Sequence, residues 1–260
     1  MAMPEPYLVR ARNIDPTSEN KIHDDDVARR LGFSGALVPG VELFAYLTHP
    51  LVAAWGEDFL AGGRVDVRFR RPVYDGEDVV ASATPGEDGS FDLTLTGPDG
   101  VVRSVGRAWP RHDGVLDADA FRPTPLPSPL PPADERSLRP GPIGTVTEPV
   151  DDLSLRRYLD AVSESHPLYA DKGVVHPGAL LRLVNAILVR NVVLGPWIHT
   201  ASSCRFLAVA RVPTTLVAHA RVTGNEERGG HRYVHYDALV LAEDTPVMRV
   251  EHTAIYEIAS

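Results

Sequence analysis

The run SENKIHDDDVARRLGFSGALVPG, from Ser18 to Gly40, sets one imidazole between a polar turn and a charged helical segment. An imidazole with its ordinary pKa of about 6.5 takes and returns protons at neutral pH, so His23 is a candidate general acid or base. The plain alternative is a solvated histidine ahead of a helix whose early acidic residues, Asp24 to Asp26, complement the helix dipole. Beside it, Asn20 could hold a loop or a substrate oxygen, and Ser18 could orient a water or simply occupy a turn. Asp15, Glu19 and Asp24 are the nearby carboxylates. Gly40 follows Pro39 and opens an apolar helix, where unpaired amides and partial positive charge suit a developing oxyanion. Gly178, after His176 and Pro177, offers the same device. Glu164 with Tyr169 forms a second polar pair, a possible base and donor, and His176 stands before the second helix start. Arg68, Arg70 and Arg71 make a basic patch with forks suited to phosphate, or else the solvent face of a strand. Cys204, the single cysteine, falls in an apolar strand-like run and reads as a small buried hydrophobe.

These residues recur in an order of elements that the chain presents twice. Each half opens with a strand-like piece, YLVRARNI and GTVTEPV, followed by a polar turn, SENKIH and SESHPLY. Pro-Gly then leads into an apolar helix, VPGVELFAYLTHPLVAAW and HPGALLRLVNAILVRNVV, and several β-rich runs come after it. Alternation supports the strands: Val65, Val67 and Phe69 point one way, Asp66, Arg68 and Arg70 the other. GPDGV at 97–101 predicts a hairpin turn, because Asp-Gly tolerates positive φ. Arg68-Phe69 lies 28 positions after Gly40, and Arg205-Phe206 lies 27 after Gly178, a spacing that points to duplication of one supersecondary unit. Between the copies, eight prolines from Phe121 to Pro142 favour an extended chain that cannot enter a sheet interior. The expected organisation is a first unit over 1–112, a Pro-rich linker over 113–145 and a second unit over 146–260. Each unit is an antiparallel sheet on one buried helix, an α+β architecture.

The chain has 260 residues and a formal charge of −9, which argues against nonspecific nucleic-acid binding. No zinc-like Cys/His spacing, P-loop or dinucleotide-binding glycine pattern is present, so neither a metal nor a resident cofactor is expected. No window approaches the roughly 20 apolar residues of a membrane span. MAMPEPYLVRARNIDP lacks the apolar core of a secretory signal, and one cysteine cannot form an internal disulfide, so a cytoplasmic protein is expected.

The order strand, N-x-I-H-x-D, ARRLGF, G-x-L-V-P-G, apolar helix, F-R-R-P-V-Y-D-G-E-D-V resembles the MaoC-like hydratases and dehydratases. The resemblance is closest over 18–78 and weaker over 146–260. It implies a double hotdog fold, two sheets each wrapping a central helix, standing as a monomeric pseudo-dimer or pairing further as a homodimer. It also implies a 2-enoyl or 3-hydroxyacyl thioester substrate carried on coenzyme A or an acyl carrier protein. The family's hallmark is Asp-x-Asn-Pro-Ile/Leu-His, with the aspartate and histidine acting on water or a β-hydroxyl and a helix-start amide binding the thioester oxygen. By that match His23 is the histidine, Asn20 the asparagine and Gly40 the helix-start glycine, with Val38 in the G-x-L-V-P-G run and Arg68 and Arg70 as substrate-binding candidates. Ser18 stands where the aspartate belongs and Lys21 where the proline belongs. A serine holds no charge at neutral pH, so the pattern is degenerate. In the second half Glu164 falls at the aspartate position, His166 at the asparagine and Tyr169 at the histidine, and the ARRLGF insert is missing. Three functions follow: a hydratase or dehydratase working through His23 and Gly40, a thioesterase working through Glu164, or a non-catalytic binder of an acyl or other hydrophobic ligand that supports a partner.

Overall fold

The computed structural model describes residues 2–14, 20–112, 114 and 117–259. In the first half, β1 (Tyr7–Arg10) precedes a short helix α1 (Asp25–Arg30) and the long helix α2 (Gly40–Leu60). Strands β2 (Arg64–Phe69), β3 (Asp78–Pro85), β4 (Phe91–Thr96) and β5 (Val102–Trp109) follow. The second half runs β6 (Gly141–Val150), α3 (Asp152–Ala161), α4 (Pro167–Lys172), α5 (Pro177–Asn191), then β7 (Ile198–Phe206), β8 (Thr214–Arg228), β9 (His231–Ala242) and β10 (Thr245–Glu257).

All ten strands join one antiparallel sheet in the order β1-β3-β4-β5-β2-β7-β10-β9-β8-β6. Read outward from the β2–β7 seam, each half repeats one strand order. The seam itself is symmetric: Arg64 pairs with Arg205 and Arg68 with Ala201. That is the register of a two-fold axis relating 64 to 201 and 68 to 205. Duplication therefore gives each copy's inner strand a partner in the other copy and removes two sheet edges from solvent.

Alternation built these strands as expected. Val65 and Val67 of β2 are buried while Arg68 is exposed, and Val79, Ala81 and Ala83 of β3 face the same interior. The 97–101 turn closes the β4–β5 hairpin, with Gly97 N–H donating to the Val101 carbonyl at 3.0 Å and Gly100 at φ 74°. Helices α2 and α5 lie in the concavity of the sheet. Phe44, Leu47, Leu51, Leu181, Val184 and Leu188 are fully buried there, each worth about 1.5–3 kcal/mol of transfer free energy. Glu42 of α2, also buried, accepts from Arg182 of α5 at 2.5 Å and ties the two helices together.

The segment expected as linker is docked rather than free. Phe121 and Leu138 are buried, and Pro132 bridges to Val193. Its last residues belong to β6, which begins at Gly141 rather than after 145. Pro142 is tolerated in that strand because β6 is the edge of the sheet.

Candidate active site

Pro39 turns the chain into α2 without offering a side-chain cap, so the helix opens with free amides. The N–H of Gly40 has no acceptor among the described residues, while those of Glu42 and Leu43 return to the Pro39 carbonyl. A cavity of about 240 Å³ lies at this helix tip. His23, Asn20, Phe69, Asn185, Trp197 and His199 are among the residues that line it. A second cavity, of about 340 Å³, shares His23, Asn20, Pro39, Asn185 and Trp197 with the first, so these five form a wall between two spaces.

His23 is half-buried and its ring is fixed at both nitrogens. Nδ1 lies 2.7 Å from the Leu37 carbonyl, which can only accept, so Nδ1 carries the proton. In the neutral ring Nε2 therefore holds the lone pair, and the Asn20 side-chain amide donates to it at 3.3 Å. Asn20 is buried and uses its remaining capacity on the backbone. Its Oδ1 accepts from Ile22 N–H at 3.3 Å and Trp197 N–H at 3.2 Å, and its Nδ2 donates to the Trp197 carbonyl at 3.0 Å. One side chain thus sets the imidazole and staples the first half's loop to Trp197, the residue just ahead of β7.

The other first-half candidates divide. Val38 lines the cavity, but its N–H is spent on the Val73 carbonyl at 2.8 Å, so it offers shape and no donor. Arg70 and Arg71 line the cavity from an exposed position, and both of their amides donate to the Arg103 carbonyl. Arg68 does not line it: strand alternation turns its side chain to solvent on the far face of β2 from Val65 and Val67. Asp24 is occupied as the N-cap of α1, accepting from Val27 N–H at 3.0 Å. Ser18, Asp15 and Glu19 lie outside the described residues. Among the described residues no carboxylate lines either cavity. Nor is there, among them, a group of three or more His, Cys, Asp or Glu placed to hold a metal ion. Cys204 is fully buried in β7 and burial pushes its thiol up.

The second half builds its copy differently. His176 occupies the position of Val38 and caps α5, its Nδ1 accepting from Gly178 N–H at 3.0 Å. The amide that is open at Gly40 is consumed at Gly178. Tyr158 fills the remaining space, its hydroxyl 2.1 Å from where a Cβ on Gly178 would stand. Glu164, only 3% exposed, accepts from His49 Nδ1 at 2.8 Å, from His166 N–H at 2.7 Å and from His176 Nε2 at 3.3 Å. Burial alone would raise its pKa, but the His176 and His49 hydrogen bonds hold it well below the usual carboxylate range. Tyr169 is wholly buried against His176, with ring centroids 4.5 Å apart, and burial raises its phenol well above 10. Glu164, Tyr169 and His176 therefore stand together, but as a packed cross-half cluster and not on the cavity at Gly40.

No protein-family profile matches the sequence, and no curated protein matches it. Solved structures do. A Mycobacterium tuberculosis protein described as having a double hotdog fold aligns at a TM-score of 0.62 and 14% identity, covering 98% of this chain and 96% of that one. A protein from Chloroflexus aurantiacus described as a MaoC-domain dehydratase aligns at 0.65 and 10% identity, covering 100% and 97%. This chain has the double hotdog fold of the MaoC-like dehydratases. The dehydratase domain of RzxB from Pseudomonas fluorescens aligns at 0.53 and 13% identity over 96% of this chain and 93% of that one. Within this double hotdog, sequence reasoning missed Asn185, Trp197 and, most of all, His199. It is 6% exposed, lines the cavity, and places Nδ1 2.9 Å from the position of a Cβ on Gly40. A strand histidine in the other half carries no signal of this in the sequence.

Proposed function

We propose that the protein is a hydratase or dehydratase of acyl thioesters, with its site at the tip of α2 in the first half. The observation that carries this reading is the geometry of His23: Nδ1–H locked on a carbonyl, and an Nε2 lone pair on the wall of the cavity that contains the open Gly40 amide. In hydration, water displaces the Asn20 amide from Nε2, and Nε2 takes a proton from that water as its oxygen bonds to C3 of a 2-enoyl thioester. The C2=C3 electron pair moves toward the carbonyl, and the charge that develops on the thioester oxygen is met by Gly40 N–H and the helix dipole. The imidazolium then returns its proton to C2, which regenerates His23. Dehydration of a 3-hydroxyacyl thioester is the reverse. Asn20 holds the ring, and Asn185 Oδ1 and Trp197 Nε1, buried at the wall and without a partner among the described residues, supply an acceptor and a donor for the water or β-hydroxyl.

The acyl group would sit in the cavity of about 240 Å³ at the helix tip. Arg70 and Arg71 lie where a phosphate of coenzyme A or of a carrier's phosphopantetheine would be met. Crotonyl-CoA hydration, followed by loss of the enoyl absorbance, tests the reading. His23→Gln is expected to lower kcat by about 10²–10⁴-fold with unfolding unchanged. Equal turnover in that variant removes His23 from the mechanism, and binding of the thioester without turnover in the wild type favours a ligand-binding protein.

A further inference from the structure

Strand β7 breaks its own alternation. His199 pairs with Ala254 and Ala201 with Thr253, which leaves Thr200 as an extra residue, a β-bulge. The bulge turns both His199 and Ser202 to the interior, although they are three residues apart. There they form a chain with β10: His199 Nε2 lies 2.8 Å from Ser202 Oγ, and Ser202 Oγ lies 3.0 Å from His252 Nδ1. The two imidazoles stack at 4.1 Å, and the edge of Phe69 closes on His199 at 4.7 Å. His199 Nδ1 remains buried without a partner, at the cavity, facing the start of α2. A buried polar nitrogen left unpaired is costly, and a ligand oxygen at that point would satisfy it.

The serine has a single hydroxyl hydrogen, so the chain can run in two directions. An oxygen acceptor in the cavity selects one of them. His252 Nδ1–H donates to Ser202 Oγ, Ser202 O–H donates to His199 Nε2, and His199 Nδ1–H then donates into the cavity, each bond polarising the next. Burial pushes the His199 pKa down to about 3 and that of His252 well below its usual value. Both rings are thus neutral, and His199 is a poor base but a sound fixed donor.

Resting on the thioester reading above, we propose that His199 completes a two-donor oxyanion site: its Nδ1–H and the Gly40 N–H together receive the thioester carbonyl oxygen, with Ser202 and His252 as positioning residues. The second half of the chain would in this way supply part of the first half's catalytic machinery.

The test uses butyryl-CoA, which is saturated and cannot be hydrated, labelled with ¹³C at the thioester carbonyl and read by infrared difference spectroscopy, alongside crotonyl-CoA turnover. In the wild type the bound carbonyl band is expected to move to lower wavenumber than in water. His199→Leu should lose much of that shift and lower kcat by about 10²–10³-fold, with KM within several-fold. His199→Asn, whose amide nitrogen falls near the position of Nδ1, should recover more than Leu on both measures, whereas a purely packing role predicts the reverse. Ser202→Ala should give an intermediate band. Thermal unfolding is followed for each variant, and the Asn and Ala variants carry the test if the Leu variant fails to fold. Normal hydration with an unchanged band in His199→Leu, or Asn no better than Leu, overturns the proposal and leaves the function standing. A band that His199 controls, without any hydration, supports the donor pair and overturns the function. A wild type that neither binds butyryl-CoA nor shifts its carbonyl overturns both.

Discussion

Two positions set the surroundings of the first helix start apart from those of the second. Val38 has no group with which to cap α2, so the Gly40 amide stays open, while His176 at the corresponding place closes the Gly178 amide with its Nδ1. Asn20 is the other decisive side chain, since it pairs both backbone groups of Trp197 and touches the His23 ring. Asn20→Ala is expected to leave a buried N–H and C=O of Trp197 unpaired, at about 1–3 kcal/mol each, and to free the His23 ring. The urea midpoint and kcat should both fall, and a normal midpoint would show that water replaces the lost bonds.

At the scale of elements, two helix starts meet two different surroundings. A Cβ on Gly40 would stand 2.9 Å from His199 Nδ1 and 3.1 Å from Phe69, both side chains of the cavity wall. Gly40→Ala is therefore expected to fill the oxyanion position and reduce turnover by at least about 10²-fold, the usual loss for one such donor, while the helix itself gains propensity. A Cβ on Gly178 would meet Tyr158 Oη at 2.1 Å and Ala45 Cβ at 2.8 Å inside packed core. Gly178→Ala should reverse the pattern, lowering the unfolding temperature while the folded fraction keeps its kcat. Equal losses of activity in the two variants would contradict a single site in the first half. The bulge at Thr200 belongs to this scale too, because it brings His199 and Ser202 onto one face.

Across the whole molecule, the halves are joined by a strand seam, by Glu42 with Arg182, and by Glu164 with His49. Glu164 has its pKa depressed in the fold below an ordinary 4.5. Its contribution is thus present above about pH 4.5 and is lost as the pH falls toward the depressed value. Glu164→Gln should flatten the fall in stability between pH 5 and pH 3, and Glu164→Ala should cost about 3–5 kcal/mol at pH 7 by leaving buried donors uncompensated. Chemical denaturation across that pH range checks both. An unchanged slope in the Gln variant would mean that other carboxylates drive acid unfolding. Among the described residues no helix is long and apolar enough to cross a membrane.

The sequence by itself determined the tandem α+β units, the two buried helices and the 97–101 hairpin, while the grouping of His23, Asn20 and Gly40 was implied by the resemblance to the MaoC-like family. The units, helices and hairpin follow from local periodicity, turn chemistry and short spacing, which a chain carries wherever it folds. It also held the Glu164, Tyr169 and His176 group together, but not their burial in a cluster that makes no cavity. Tertiary structure alone decided which helix amide stays open, that Arg68 faces solvent while Arg70 reaches the cavity, and that His199 joins the site from the other half. Such facts depend on a two-fold seam and a one-residue bulge, contacts between residues more than 50 positions apart that no local pattern encodes.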